Sequence, residues 1–380
     1  MNKKYDFVLF LCILLLLVIG AVMVYSATAL LTMDTSAEAI NFEVNNRYFY
    51  KQLVFVFIAV ITLTFGMNIP VSAWQRNAKW LWLGSIVLLL LLPLFGTTVN
   101  GATRWFAFGP LRFNPGEIAR VAMLVFLADL LSRKHEQRND WKRGIAPALV
   151  VIYTLAFGLL LQKDFSSAFL LVATGLVVLF LSGVMIKRIL LIVGINSLLA
   201  ILLILFTPYR LQRLLSFLHG GAEAETGYQA LQSLIALGNG GLTGVGLGGS
   251  NQKYFFLPEA HTDYIMAIVG EEWGFLGAIF VFLLFFLLFW RGVRISRRVE
   301  TAYMRFLAMG ITFHFIFAAL LHMAVVSDLL PGTGVGLPFV SYGGSALISN
   351  ALLASILLGL SSHNSSDGFA VGVDVSWQKS

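Results

Sequence analysis

Apolar residues run along this chain in long unbroken stretches, not in the short alternations of half-buried strands or surface helices. Crossing roughly 30 Å of hydrocarbon takes about 20 such residues in a helix. Stretches of that kind begin near Phe7, Gln52, Ala78, Glu117, Ile145, Ser166, Arg188, Ile265, Tyr303 and Val340. The pattern predicts an all-α integral membrane protein of about ten transmembrane helices over residues 1–363, with a flexible cytoplasmic tail at 364–380. The first stretch, Phe7 to about Val24, is too long for a signal-peptide core and is read as a retained helix. Most connections are short. The exception is a large extracytoplasmic loop, 208–264, between the seventh and eighth stretches. It holds Arg210 and Arg213 in an amphipathic start, a patch from Gly220 to Glu225, an amphipathic helical pattern from Gly227, and a glycine-rich stretch from Gly238 to Gly249. A connection this long in a compact protein is usually functional or disordered, and its apolar and aromatic content argues against disorder.

Composition strengthens the membrane assignment. Hydrophobic residues make up 58% of the chain and charged residues 12%, against about a quarter charged in soluble domains. Mean hydropathy is +0.84. With an even number of spans both termini share a side, and that side holds 17 of the 26 basic residues, notably Arg133 to Arg143 and Arg291 to Arg305. The positive-inside rule makes that side cytoplasmic. The net charge of +7 reflects this bias and attraction to anionic membrane lipid, so no nucleic acid is implied. The single cysteine, Cys12, lies within the first helix and offers neither a disulfide nor a thiolate metal site.

Charges at membrane depth are costly, about 2.5–3.5 kcal/mol each on insertion scales, so each asks for a reason. Most here gather at the external ends of helices. Leu257-Pro258-Glu259-Ala260-His261-Thr262-Asp263-Tyr264 sits at the mouth of the eighth span. At about 100° per residue, Ala267, Gly270, Gly274 and Gly277 share a helix face with Asp263. That face is either a close-packing seam or a groove wall with a carboxylate at its rim. Glu271 and Glu272 point to different sides of the helix and suit a buried polar network better than a catalytic pair. Glu117 and Arg120, one turn apart, can pair. Gln162-Lys163-Asp164 is another external polar cluster. The glycine-dense run from Pro331 to Ser345 is irregular backbone near membrane depth, tolerated only where protein or a wet cavity surrounds it. His314 and His322 lack a partner set for a metal.

Taken together, these motifs resemble the SEDS family (shape, elongation, division and sporulation proteins), bacterial peptidoglycan glycosyltransferases. The resemblance spans nearly the whole chain. It rests on Asn100-Gly101-Ala102-x-Arg104-Trp105, Pro115-x-Glu117, Gln162-x-Asp164, Gly227-Tyr228-Gln229-x-x-Gln232-Ser233, Leu257-Pro258-Glu259-x-His261-Thr262-Asp263, Gly270-Glu271-Glu272-x-Gly274 and Leu337-Pro338-Phe339-x-Ser341-Tyr342-Gly343-Gly344-Ser345. Pro208-Tyr209-Arg210-x-x-Arg213 and Gly246-Leu247-Gly248-Gly249-Ser250-x-x-Lys253 point to the FtsW-like division branch over the RodA-like elongation branch. The chain departs from the family pattern at Lys163, where a proline is usual, and at Arg120, where a lysine is common.

The resemblance implies polymerisation of lipid II at the external face of the bacterial inner membrane, at the division septum. The 4-hydroxyl of an acceptor GlcNAc attacks the anomeric carbon of lipid-linked MurNAc with inversion, and undecaprenyl diphosphate leaves. Asp263 is the expected base. Arg104, Arg120, Arg210 and Lys253 are the external cations for the diphosphate. Glu117 and Asp164 would orient those cations or, with Asp263, ligate a divalent ion such as Mg²⁺ or Mn²⁺; His261 and Ser341 complete the expected substrate contacts. Expected partners are the growing glycan strand, a class B penicillin-binding protein (an FtsI-like transpeptidase) and other divisome proteins. The alternatives are a lipid II flippase, which needs polar groups through the membrane depth, and a non-catalytic divisome scaffold, which has little use for Asp263. Topology is directly testable: reporter fusions after Arg138 and Arg298 should report cytoplasm, and fusions between Gly220 and Glu225 the external side. The reverse pattern would refute the charge assignment.

Overall fold

The computed structural model describes residues 5–28, 42–99, 102–109, 111–219, 225–253 and 256–363. The expected tail at 364–380, most of the Gly220 to Glu225 patch, and Asn100 with Gly101 lie outside the described residues. Ten helices correspond to the ten apolar stretches: α1 (Phe7–Thr28), α2 (Phe42–Gly66), α3 (Val71–Phe95), α4 (Pro115–Arg133), α5 (Ala146–Leu161), α6 (Phe165–Leu181), α7 (Ile186–Leu205), α10 (Ile265–Ser296), α11 (Ala302–Val326) and α12 (Gly344–Ser361). Two more, α8 (Pro208–His219) and α9 (Glu225–Gly240), occupy the long connection.

Among the described residues, eight helices are long and apolar enough to cross a membrane. The other two of the expected ten differ for identifiable reasons. Helix α6 has only 17 residues. Helix α4 carries Glu117, Arg120, Asp129 and Arg133, yet most of it is buried in the bundle against α3, α5, α6 and α11. Its charges are satisfied internally: Glu117 pairs with Arg120, and Asp129 Oδ1 accepts from Gln75 and Arg133, both at 2.9 Å. Helix α7 is the opposite case, almost wholly apolar, with only Ile189 and Ile192 buried. One element was not foreseen. Between α3 and α4 the chain forms a small antiparallel sheet, β1 (Thr97–Val99), β2 (Ala102–Phe108) and β3 (Leu111–Phe113), in the order β1-β2-β3.

The two faces of the bundle are distinguishable by their contacts. On the basic face the Asp6 carboxylate pairs with Arg291 beyond the middle of α10, and its N–H donates to Ser361 Oγ at the end of α12 at 2.9 Å. The α4–α5 and α6–α7 turns meet there through Met185 N–H and Asn139 Oδ1 at 2.9 Å. On the opposite face, expected to be external, lie the β-sheet, the α5–α6 turn, α8, the segment 256–264 and the α11–α12 connection.

Helix α10 is not continuous. Gly274 takes φ 68°, ψ −168°, and the helix breaks there. The glycine-rich segment after α9 fills the break with its own backbone. Val245 and Gly246 N–H donate to the carbonyls of Glu271 and Glu272, each at 3.0 Å, while Phe275 and Leu276 N–H donate to Gly241 and Leu242 at 2.9 and 3.1 Å. At two positions the approach leaves no room for a side chain: a Cβ on Gly244, itself at φ +81°, would lie 2.1 Å from Glu272 O, and one on Gly240 1.9 Å from Gly270 O. The small-residue strip of α10 is thus a packing seam for α9 and its glycine-rich extension, not a groove wall. Asp263 lies before the helix begins, so a straight 100° projection from it does not apply.

Gly244→Ala should therefore lower stability by at least about 2 kcal/mol through both collision and left-handed strain. Gly194→Ala on α7, where a Cβ meets nothing within 4 Å, should be neutral. Thermal midpoints of the purified protein in detergent check the contrast, and equal midpoints would contradict the backbone splice.

Candidate active site

Asp263 ends a tight turn. Glu259, at φ 54°, presents its carbonyl to the N–H groups of Thr262 and Asp263 at 3.1 and 3.0 Å, and its carboxylate accepts from Thr262 Oγ1 at 3.0 Å. The α11–α12 connection holds this turn from the other side. Tyr342 N–H donates to His261 O at 2.9 Å, Ser341 Oγ donates to Thr262 O at 2.6 Å, and Leu337 N–H donates to Ser341 Oγ at 2.8 Å. Ser341 is thus a staple between two loops, and its hydroxyl is already engaged. The His261 ring sits near Tyr48 and Tyr342, with centroids 5.5 Å from each. His322 Nδ1 contacts Val335 O at 2.9 Å and anchors the same connection. The glycine-rich run passes directly over the acid: a Cβ on Gly334 would stand 3.5 Å from Asp263 Oδ2.

Three arginines converge on this place. Arg213 on α8 donates from Nη1 to Gly332 O at 3.2 Å. Arg104 on β2 donates from Nη2 to Lys163 O at 2.9 Å. Arg210 stacks over the Phe165 ring, 4.6 Å from its centroid. Ser166 Oγ donates to Thr333 O, drawing the α5–α6 turn onto the same segment. Arg104 Nε and Thr333 Oγ1 are buried with no hydrogen-bond partner among the described residues. Burial, then the charge of Arg104, pushes the Arg210 guanidinium below its usual range.

The Asp263 carboxyl is pushed up to about 6. Burial is the largest cause and repulsion from Glu259 the next; the charges of Arg213 and Arg104 and a hydrogen bond from Thr262 pull the other way. His261 is pushed down by burial, partly opposed by the charge of Glu259.

The other expected site residues lie elsewhere or serve other ends. Glu117 and Arg120 form a buried ion pair in the first turn of α4, leaving Glu117 Oε2 and Arg120 Nε buried without partners. Asp164 caps α6, accepting from Ser167 N–H at 3.2 Å. Lys253 is not an external cation. It is buried, with Nζ 3.1 Å from Glu272 Oε1 and 2.6 Å from Gly248 O. Ser26 of α1 donates to the same Glu272 oxygen at 2.6 Å, and Glu271 accepts from Ser250 Oγ and from the N–H groups of Asn251 and Gln252 at 3.2 and 3.3 Å. Glu271 and Glu272 therefore do form the expected buried network, and Lys253 is its counter-ion. Removing one partner of such a pair costs about 3–5 kcal/mol.

Among the described residues no three His, Cys, Asp or Glu side chains gather as a metal site. Asp263 feels the charges of Arg213, Arg104 and Glu259, and Asp164 lies between Lys163 and Phe165, which contact Arg104 and Arg210. Glu259 and Arg213 are the functional candidates that the sequence reading passed over. The signal for Arg213 was its spacing: Arg210 and Arg213 lie one turn apart on α8 and so share a face.

All of the loops that build this site fall within the region matched by the family model for FtsW, RodA and SpoVE, "Cell cycle protein", over residues 6–366. The chain belongs to this family. It is 36% identical to Stage V sporulation protein E of Bacillus subtilis, covering 94% of this chain and 97% of that protein. It is 40% identical to the probable peptidoglycan glycosyltransferase FtsW of Marinobacter nauticus, covering 90% and 86%. The rod shape determining protein RodA of Thermus thermophilus superposes with a TM-score of 0.68 at 25% identity, covering 95% and 97%. Against the family pattern, Lys163 now has a geometric meaning. It takes φ 59°, which a proline, fixed near −65°, cannot reach.

A process that needs the Asp263 carboxylate should rise with pH through about 6 and level off above it. Glu259→Gln removes a cause that raises the acid, so the limb should move to lower pH. A pH–rate profile of the two proteins measures it, and a limb that stays put or moves upward would contradict the electrostatic account.

Proposed function

We propose that this family member is a peptidoglycan glycosyltransferase that polymerises lipid II for septal wall synthesis, with Asp263 as the general base. The observation that carries the reading is the site's charge arrangement: a carboxyl raised to about 6, beside Arg104 and Arg213, with Arg210 close to Arg104. A base whose acid constant lies just below the working pH is mostly ionised yet still attracts a proton. In this reading the arginines supply the positive charge that receives the leaving group as it departs.

In the reaction, the acceptor's O4 forms a bond to the anomeric carbon of the donor MurNAc while the bond from that carbon to the diphosphate oxygen breaks. The hydroxyl proton passes to Asp263. The electron pair of the broken bond leaves with undecaprenyl diphosphate, whose charge Arg104, Arg210 and Arg213 receive. The α-linked donor gives a β-linked product in one displacement, and Asp263 forms no covalent bond. The two acids Asp263 and Glu259 fit a hydrated Mg²⁺ or Mn²⁺, which takes one or two carboxylates plus substrate phosphate oxygens. Such an ion would supply further neutralisation of the diphosphate. Glu117, paired with Arg120, and Asp164, a helix cap, are poorer ligands. Both termini are assigned to the cytoplasm, and the partner is a class B penicillin-binding protein that cross-links the new strand, alongside other division proteins.

Asp263→Asn keeps the shape of the acid and loses its basicity. Polymerisation by the purified protein from lipid II should fall at least about 10²-fold, with folded yield and lipid II binding nearly unchanged. Near-normal glycan synthesis by the folded variant would end the assignment of the base. A wild type that moves lipid II across vesicles without making glycan would replace the enzyme by a transporter.

A further inference from the structure

Polymerisation from lipid II makes a demand that the arginine cluster meets only once. In the first joining step both reactants are lipid II, so two diphosphates are present and one leaves. The other stays on the acceptor, separated from the attacking hydroxyl by the length of one disaccharide. A second anion site is therefore expected near Asp263, apart from Arg104, Arg210 and Arg213.

The start of α12 has the properties of such a site. Ser341 and Tyr342 bond to the turn that carries Asp263, and α12 begins two residues later at Gly344. Three residues of chain span at most about 11 Å, so Gly344 lies within a disaccharide's reach of that turn. The first turn of α12 has no acidic residue, and no side chain caps it. Its leading N–H groups and the positive end of its dipole are open to an anion. Gly344, Ser345 and Ala346 are only half-buried, so a ligand can reach them.

Helix α2 supplies what a helix terminus alone does not. At 100° per residue, Tyr48, Lys51, Gln52 and Phe55 share an arc of about 100° on its surface. Two of them show where that face points. The Tyr48 ring lies 5.5 Å from the Tyr342 ring, and a Cβ on Gly344 would stand 2.5 Å from the Phe55 ring. Lys51 and Gln52 lie between these two contacts along α2, level with the start of α12. Gln52 is fully buried, and neither of its amide atoms has a hydrogen-bond partner among the described residues. A buried amide left unpaired in a folded protein asks for a reason. Lys51 is half-buried and has no ion-pair partner among the described residues. From the other side β3 brings Arg112, exposed, whose carbonyl accepts from Ser345 Oγ at 3.1 Å. The acids on the adjoining segments are Glu259 and Asp263 in the turn, and Glu117, which Arg120 neutralises.

We infer that the start of α12, with Lys51, Gln52 and Arg112, holds the diphosphate of the acceptor lipid II while the first diphosphate leaves on the arginine side. The inference rests on the glycosyltransferase reading above. Lys51 and Arg112 supply charge, and the α12 N–H groups and the Gln52 amide supply hydrogen-bond donors.

The test gives each substrate one role. The donor is lipid II with its GlcNAc O4 blocked, which cannot accept. The acceptor is lipid II with a methylene in place of its anomeric oxygen, which keeps both phosphorus groups and cannot donate. Lys51→Gln and Arg112→Gln should each raise the acceptor KM at least about tenfold, the effect of losing one charged hydrogen bond, and leave the donor KM within about twofold. Gln52→Leu removes the unpaired amide at similar volume. It should raise the thermal midpoint and also the acceptor KM, a combination that a purely structural Gln52 does not give. An unchanged acceptor KM in these folded variants, or an equal rise in both constants, would overturn the second site. A phospholipid headgroup is the other lipid-borne phosphate with this chemistry. Displacement of the acceptor analogue from the wild type by phosphatidylglycerol, in phosphatidylcholine nanodiscs, would make this a headgroup site and end the acceptor assignment. Glycan synthesis that never incorporates the analogue would overturn the site alone. A wild type that makes no glycan from unmodified lipid II would overturn the enzymatic reading, and the acceptor site with it.

Discussion

A helix that breaks inside a membrane releases peptide groups that water cannot reach, and each unmatched group costs several kcal/mol. The break of α10 at Gly274 meets that constraint by splicing. Two carbonyls before the break and two N–H groups after it find partners in the segment 241–246, and four main-chain hydrogen bonds restore what the helix gave up. Everything around the break follows from this. Position 244 must be glycine because its backbone lies against the backbone of α10. The segment must enter beside Glu271 and Glu272, whose carboxylates then collect Ser250, Asn251, Gln252 and Lys253 just downstream. Ser26 ties the end of α1 into the same network. The buried charges thus anchor the loop at Lys253, ten residues before Asp263.

From there, strain and cross-links place the acid. Among the described residues, the four non-glycine residues with left-handed backbone, Lys163, Glu259, Asp328 and Phe339, all lie in connections on the site face. Each costs about 1–3 kcal/mol where the surroundings hold it. The holding contacts are identifiable: Ser341 to Thr262, Tyr342 to His261, Arg104 to Lys163 and His322 to Val335. Loops tied to one another in this way keep their shape, which a candidate site assembled from four separate connections requires.

The spans were legible because apolar length is a strong, local signal that needs no partner. Even α4 was found, since its charges sit within an otherwise apolar stretch. The network of Glu271 and Glu272 was legible too, from their divergent directions on one helix. What was not legible depended on distant partners. Lys253 looked external because its loop was expected to be external; only the fold shows that Glu272 draws it inward. Gly274 read as one of several seam glycines, and nothing local distinguishes a packing glycine from one that breaks the helix. The sheet over Thr97–Phe113 has strands of three and seven residues around an apparent loop, too short for an alternating pattern to stand out. Arg213 was visible as a motif residue, but its nearness to Asp263 arises because α8 and the α11–α12 connection meet.

The position of the acid between Glu259 and the arginines resolves a conflict in what the reaction asks of it. Burial alone would keep a carboxyl protonated at neutral pH and useless as a base, while a full set of arginine partners would hold it ionised and too weak to take a proton. Here burial and Glu259 act against Arg104 and Arg213, and the balance falls at about 6. The charge of Glu259, on the same turn as Asp263, is thus one side of that balance, and the charges of Arg104 and Arg213 are the other.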